Sequence, residues 1–169
     1  LAGPDGFYRE NSAHSFLFLP RDRTLVVTFD NLDIAMGKRE DRRPWGFSFI
    51  EKQGWSMLGV MANGWTWYRD PWVWAEFDRL AAEGFFARFD RVAFYGASMG
   101  GYAACAFAAA QPGCEVVAIS PQSTLDKLAA GIADMPTLPL AALHVITTLT
   151  GSALLALAHA NKRITADEA

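Results

Sequence analysis

Histidine and cysteine are scarce in this chain, with three of the first and two of the second among 169 residues, and no aromatic residue follows Phe107. Cys105 and Cys114 do not make a C-x-x-C pair, and no histidine stands at metal-ligand spacing from either, so neither a dithiol nor a zinc site is indicated. They are expected as small core residues of a reducing compartment. A net charge of −3 leaves no basic footprint for nucleic acid. No charged-then-apolar leader opens the chain, which makes the cytoplasm the expected location. Nothing calls for a metal or a cofactor.

What is present is ordinary for a globular protein: 51% hydrophobic and 20% charged residues, in 18.5 kDa, enough for one domain with a core of usual size. Both ends read as cut. The chain begins at Leu1, and Ile164 to Ala169 resembles the start of a helix, with Thr165 as cap and acids in its first turn. A fragment is therefore expected.

Ser15 to Leu19 and Thr24 to Phe29 are apolar runs separated by Pro20-Arg21-Asp22-Arg23, and they read as a hairpin or two adjacent strands. Asp30 to Asp33 follows as a loop at a strand's carboxyl end. Pro44 to Gln53 reads as a helix stopped by Gly54, and Trp55 to Ala62 as the next strand. Asp70-Pro71 is a helix start, with Val73, Phe77, Leu80 and Ala81 at helical spacing after it. Arg91 to Tyr95 and Glu115 to Ser120 read as strands, with a helix over Met99 to Ala110 between them. This alternation predicts an α/β fold, a parallel sheet with flanking helices, over residues 1–125. An all-helical segment is expected over 126–169, where the strand pattern ends and alanine, leucine and threonine dominate. Pro139 to Ala160 is long enough to span a bilayer, but His144, Ser152, His159 and three threonines interrupt it. A packed helix is expected there, not a membrane span.

The most informative block is Gly96-Ala97-Ser98-Met99-Gly100-Gly101, between a buried strand and a small-residue helix. G-x-S-x-G in that setting is the pattern of a nucleophile elbow, whose turn is so sharp that only glycine fits two residues either side of the serine. A serine at such a turn presents its hydroxyl above the sheet, and the next residue's N–H, here that of Met99, becomes an oxyanion donor. The second donor would come from the loop after an earlier strand, which makes Asn31 or Leu32 the candidate.

With these residues in view, positions of about 15 to 125 resemble the first part of an α/β-hydrolase, and the serine block is similar to that of its esterases and acyl hydrolases. The resemblance implies Ser98 as nucleophile, a small ester or acyl substrate, and an acid and a histidine following in chain order. Asp126 stands where some of these hydrolases place the acid. His144 and His159 are the histidines that follow Ser98, and both fall within the long apolar stretch. His14 precedes the serine and reads as a strand-edge residue. An incomplete triad and little turnover are therefore expected.

Two other readings of the glycine turn stay open. It can serve tight packing alone, or hold a phosphate on helix N–H groups. A dinucleotide loop normally follows the first strand of its fold, with an acid about 20 residues on at the next strand's end, where this chain has Ser120-Pro121-Gln122. Trp72 and Trp74 are two apart on a predicted helix and cannot share a face. Trp65 and Trp67 lie past a strand's carboxyl end as possible substrate walls. The run Lys38 to Arg43 reads as a solvated surface segment.

Residues of about 127 to 169, with Thr147-x-x-Thr150-Gly151-Ser152 on a helix and an Asn161-Lys162-Arg163 turn, resemble the C-terminal helical domain of assembly chaperones of the F1 ATP synthase alpha subunit. That resemblance implies an alternative function, shielding that subunit before assembly. Two unrelated likenesses meeting near Asp126 suggest a fusion or a misjoined fragment.

Overall fold

Six strands form one sheet in the computed structural model, which describes residues 2–37 and 42–121. They are β1 (Phe7–Glu10), β2 (His14–Leu19), β3 (Thr24–Phe29), β4 (Ser56–Ala62), β5 (Arg91–Ala97) and β6 (Glu115–Ile119). The helices are α1 (Leu32–Met36), α2 (Phe47–Gln53), α3 (Pro71–Ala82) and α4 (Met99–Phe107), with 3-10 turns at Phe86–Arg88 and Ala108–Ala110. The strand order is β1-β2-β4-β3-β5-β6. β3, β4, β5 and β6 run parallel, whereas β2 runs antiparallel to both of its neighbours, β1 and β4, so the sheet is mixed.

The expected α/β architecture is present, but α1 starts at Leu32 inside the stretch expected as a loop, α2 starts at Phe47 and not at Pro44, and two differences concern the strands. β2 and β3 do not pair, because β4 lies between them. Ser56, the first residue of β4, explains this. Its Oγ accepts from the N–H groups of Arg21 and Asp22 at 2.8 and 3.1 Å and donates to the Asp22 carbonyl at 2.7 Å. The turn leaving β2 is thus stitched to the strand slotted beneath it, and a tight hairpin is replaced by a crossing. The second difference is β1, whose short and mostly exposed sequence carries no alternating signal.

Helix boundaries follow their caps. Asp70 accepts from the Trp72 N–H at 2.8 Å with Pro71 at the first helical position, and Asn31 caps α1 by accepting from the Ile34 N–H at 3.0 Å. α3 buries Val73, Phe77 and Leu80, but its fourth buried position is Glu76 and not Ala81. Glu76 is tolerated inside because Arg9 of β1 reaches it at 2.8 Å and Arg79 at 3.0 Å. Beneath α3 and α4, Phe77 stacks on Phe107 at 4.4 Å between ring centres and on Phe29 at 5.9 Å. α4 buries Ala103, Ala104 and Phe107 on that core, which turns Cys105 outward: it is exposed, contrary to the expectation of a core thiol. Among the described residues, no helix is long and apolar enough to cross a membrane.

Candidate active site at the serine turn

The parallel strands direct their carboxyl ends to one edge of the sheet. Phe29 of β3 is in register with Val60 of β4 and Gly96 of β5, so the loop after β3 and the turn after β5 leave side by side. Ser98 occupies that turn with φ 54° and ψ −121°, a conformation L residues avoid because Cβ crowds the neighbouring carbonyls. Such a backbone costs about 1–3 kcal/mol and persists where its surroundings over-determine it. Here they do. The Ser98 N–H donates to the Ile119 carbonyl of β6 at 2.9 Å, and its own carbonyl accepts from the Tyr102 N–H at 3.1 Å.

The flanking glycines are required by contact distance. A Cβ on Gly96 would lie 2.2 Å from the Gly100 carbonyl oxygen, and one on Gly100 would lie 2.4 Å from that of Phe29 and 3.0 Å from that of Asp30. The opposing atoms are backbone, so nothing can rotate away. The second of these contacts also seats the start of α4 directly on the end of β3. Ser98 is half-buried, and its hydroxyl has no hydrogen-bond partner among the described residues.

Of the three sequence-nominated oxyanion donors, Met99 begins α4, Leu32 begins α1, and Asn31 caps α1. Among the described residues none of their backbone N–H groups has an acceptor, the ordinary condition of a helix's first turn. The side chain of Asn31 is committed to the Ile34 N–H, leaving only its backbone free for other work. Asp126, His144 and His159 lie outside the described residues.

His14 opens β2 and is paired with Ala62 across β4, three strand spacings or roughly 14 Å from β5. It is 1% exposed, with Nε2 2.8 Å from Thr66 Oγ1 and Nδ1 3.7 Å from an Asp70 carboxylate oxygen. Burial pushes the imidazole below its usual range, against the opposing pull of Asp70. This places His14 in the support of the loop after β4 and away from Ser98.

Sequence reasoning missed the polar cluster behind the loop after β3. Asp30 is completely buried; its carboxylate accepts from Arg42 Nη2 and from the Trp45 N–H at 3.0 Å. Burial pushes this carboxyl above its usual range, while Arg42 and the backbone donors pull it back. Arg42 was expected in a solvated run, but its guanidinium also donates to the Ala62 carbonyl at 2.6 Å and to Asn63 Oδ1 at 2.9 Å. A buried aspartate at a strand's end needs a cation, and that requirement was the signal available.

The tryptophans are mostly structural. Trp72 meets Phe16 edge-on at 5.5 Å, Trp74 lies 4.4 Å from Phe107, and Trp45 lies 4.4 Å from Tyr95. Trp65 is exposed, while Trp67 meets Tyr102 edge-on at 5.7 Å, one helical turn from Ser98. A cavity of about 290 Å³ on the α2 side runs along the sheet from Thr24 and Arg91 to Tyr95, and Ser98 does not line it.

No protein-family model matches the chain, and no curated protein is significantly similar to it. Among solved structures, the capsule O-acetyltransferase of Neisseria meningitidis serogroup A shares the fold. One of its structures, in complex with CoA, has a TM-score of 0.52 at 14% identity over 73% of this chain and 54% of that one. Another has a TM-score of 0.51 at 15% identity over 78% of this chain and 55% of that one. The chain therefore spans a little over half the length of that enzyme. An esterase of Pyrococcus furiosus, Pf2001, is more distant, with a TM-score of 0.46 at 19% identity over 87% of this chain and 65% of that one. The fold is thus one on which an O-acetyltransferase is built. Nothing in these comparisons supports the likeness to the ATP synthase assembly chaperones, and residues 127–169 lie outside the described residues.

Proposed function

We propose that Ser98 is the nucleophile of an acyl-transfer site, taking an acyl group from a small ester and passing it to water or another hydroxyl. The observation that carries this reading is the Ser98 backbone. It is a non-glycine residue held in a left-handed conformation between two glycines whose neighbours leave no room for a Cβ. A turn needed only for packing would be relieved by a third glycine at its apex, whereas this one spends strain on presenting a hydroxyl. A fold shared with an O-acetyltransferase favours the same chemistry without fixing it.

In the proposed reaction Ser98 Oγ attacks the ester carbonyl carbon as its proton passes to a base. Negative charge gathers on the carbonyl oxygen, within reach of the Met99 N–H and of the Asn31 or Leu32 N–H. The tetrahedral intermediate collapses with loss of the alkoxide, which takes the proton and leaves as an alcohol. The acyl group is then bound to Ser98 until water or a second hydroxyl removes it by the same steps in reverse. His14 is excluded as the base by its burial and its place three strands away. Asp126 with His144 or His159 are the acid and base that chain order nominates.

A fluorophosphonate probe tests the reading. The unaltered protein is expected to carry the phosphonate and the Ser98→Ala protein is not. Equal labelling of the two, or none in either, would overturn the assignment.

A further inference from the structure

We infer that Arg42 and Tyr68 are positioning residues for the Asn31 N–H, one of the two candidate donors on the β3 side of the proposed oxyanion site. The inference rests on Ser98 being the nucleophile. A peptide unit is a rigid plane in which C=O and N–H point in opposite directions. To aim the Asn31 N–H, it is therefore enough to hold the Asp30 carbonyl.

That carbonyl is held from two sides. Tyr68, 1% exposed, turns its hydroxyl to the Asp30 carbonyl at 3.1 Å and the Val60 carbonyl at 3.2 Å, sharing one proton between them. The bare Cα of Gly100 closes the other side, where a Cβ would come within 3.0 Å of the same oxygen. The side chain of Asp30 is fixed as firmly. Arg42 ties its carboxylate to the last residue of β4 through the Ala62 carbonyl at 2.6 Å and to the next residue through Asn63 Oδ1 at 2.9 Å. The segment that carries Arg42 is itself seated, because Pro44 rests on Gly59 so closely that a Cβ there would be 2.3 Å from the ring.

Tyr68 reaches its place at a local cost. It and Trp67 both have left-handed backbones, φ 54° and 53°, although neither is glycine. The bend is kept by Thr66, whose Oγ1 accepts from the Tyr68 N–H at 3.2 Å and lies 2.8 Å from His14 Nε2. A buried ion pair is a poor source of stability compared with apolar packing, but it does fix geometry. Tyr68 acts directly on the peptide joining Asp30 to Asn31 through its carbonyl, and Arg42 acts on it through the Asp30 side chain. Oxyanion donors act only when they stand within hydrogen-bond distance of the charge that develops, so small displacements are felt in the reaction step.

The test is two-step inactivation of the full chain by a fluorophosphonate, which separates reversible affinity (KI) from the covalent rate (kinact). In the covalent step an Oγ–P bond forms as the P–F bond breaks, fluoride leaves with the bonding pair, and the serine proton passes to the base and on to solvent. Arg42→Met and Tyr68→Phe are each expected to lower kinact about 10-fold or more, part of the 10²–10³ lost when an oxyanion donor is removed outright. KI should stay within about 2-fold, because reversible binding forms no oxyanion. Arg42→Lys, which keeps the charge, should recover part of the rate. If the unaltered protein is not labelled at Ser98, the proposed function falls and takes this inference with it. If it is labelled, and the folded variants keep the original kinact or lose only affinity, the function stands and the positioning role is overturned. Tyr68→Phe decides the matter should Arg42→Met fail to fold.

Discussion

Two neighbouring loops at the carboxyl edge of the sheet are held by different physics. The turn after β5 is fixed chiefly by close backbone contact at its two glycines, Gly96 against Gly100 and Gly100 against the end of β3, with Ser98 strained between them. The loop after β3 is fixed by polar bonds from residues distant in sequence: Arg42, Trp45 and Tyr68 all converge on Asp30. Local crowding writes itself into sequence as a motif. A clamp assembled from remote residues does not.

The sharpest way to break this comparison is to cut the clamp. Arg42→Met leaves the Asp30 carboxylate buried without its counter-ion, and the expected loss is about 3–5 kcal/mol of unfolding free energy, read as a lower urea midpoint. An unchanged midpoint would mean that the ion pair does not hold this loop. On the other side, Gly100→Ala forces a Cβ against the Phe29 and Asp30 carbonyls, and overpacking of that kind costs about 1–3 kcal/mol by the same measurement. Because the collision spans both loops, this substitution should also slow fluorophosphonate labelling.

Asp70→Ala gives a milder contrast, because it reaches the loop after β3 only indirectly, through His14. It removes the cap of α3 and the contacts with Asn11 and His14, so about 1 kcal/mol should be lost, with labelling at Ser98 slowed far less than by Arg42→Met. A matching loss of labelling would show that the two loops are not the separable units described. The smallest effect concerns His14, which supports Thr66 and through it Tyr68. Its pKa is lowered in the folded protein, so on acidification the unfolded chain takes up the proton first. Stability should therefore decline as pH falls through about 6.5 and level off below the folded value. The slope over that interval should shrink in His14→Gln, compared by urea midpoints at neutral and mildly acidic pH.

How much of this was legible in the sequence follows the same division. The serine turn, the Asp70-Pro71 start of α3 and the Gly54 stop of α2 are each written in a few adjacent residues, and the structure has them where the motifs stand. The slotting of β4 between β2 and β3 was hidden, because the bonds that decide it join Ser56 to a turn more than thirty residues earlier. Arg42 looked like one more charge in the run that ends at Arg43, since its partner lies across a chain reversal. Tyr68 carries no glycine to announce its left-handed backbone, and only the cluster beneath it explains why that backbone is tolerated.

Ser98 should accept an acyl group if it is the nucleophile. The most direct measurement is brief exposure to p-nitrophenyl acetate, acid quenching, and peptide mass spectrometry. The prediction is an acetyl ester on the peptide containing Ser98, absent from the Ser98→Ala protein. Acetylation confined to other residues, with p-nitrophenol released equally by both proteins, would contradict it.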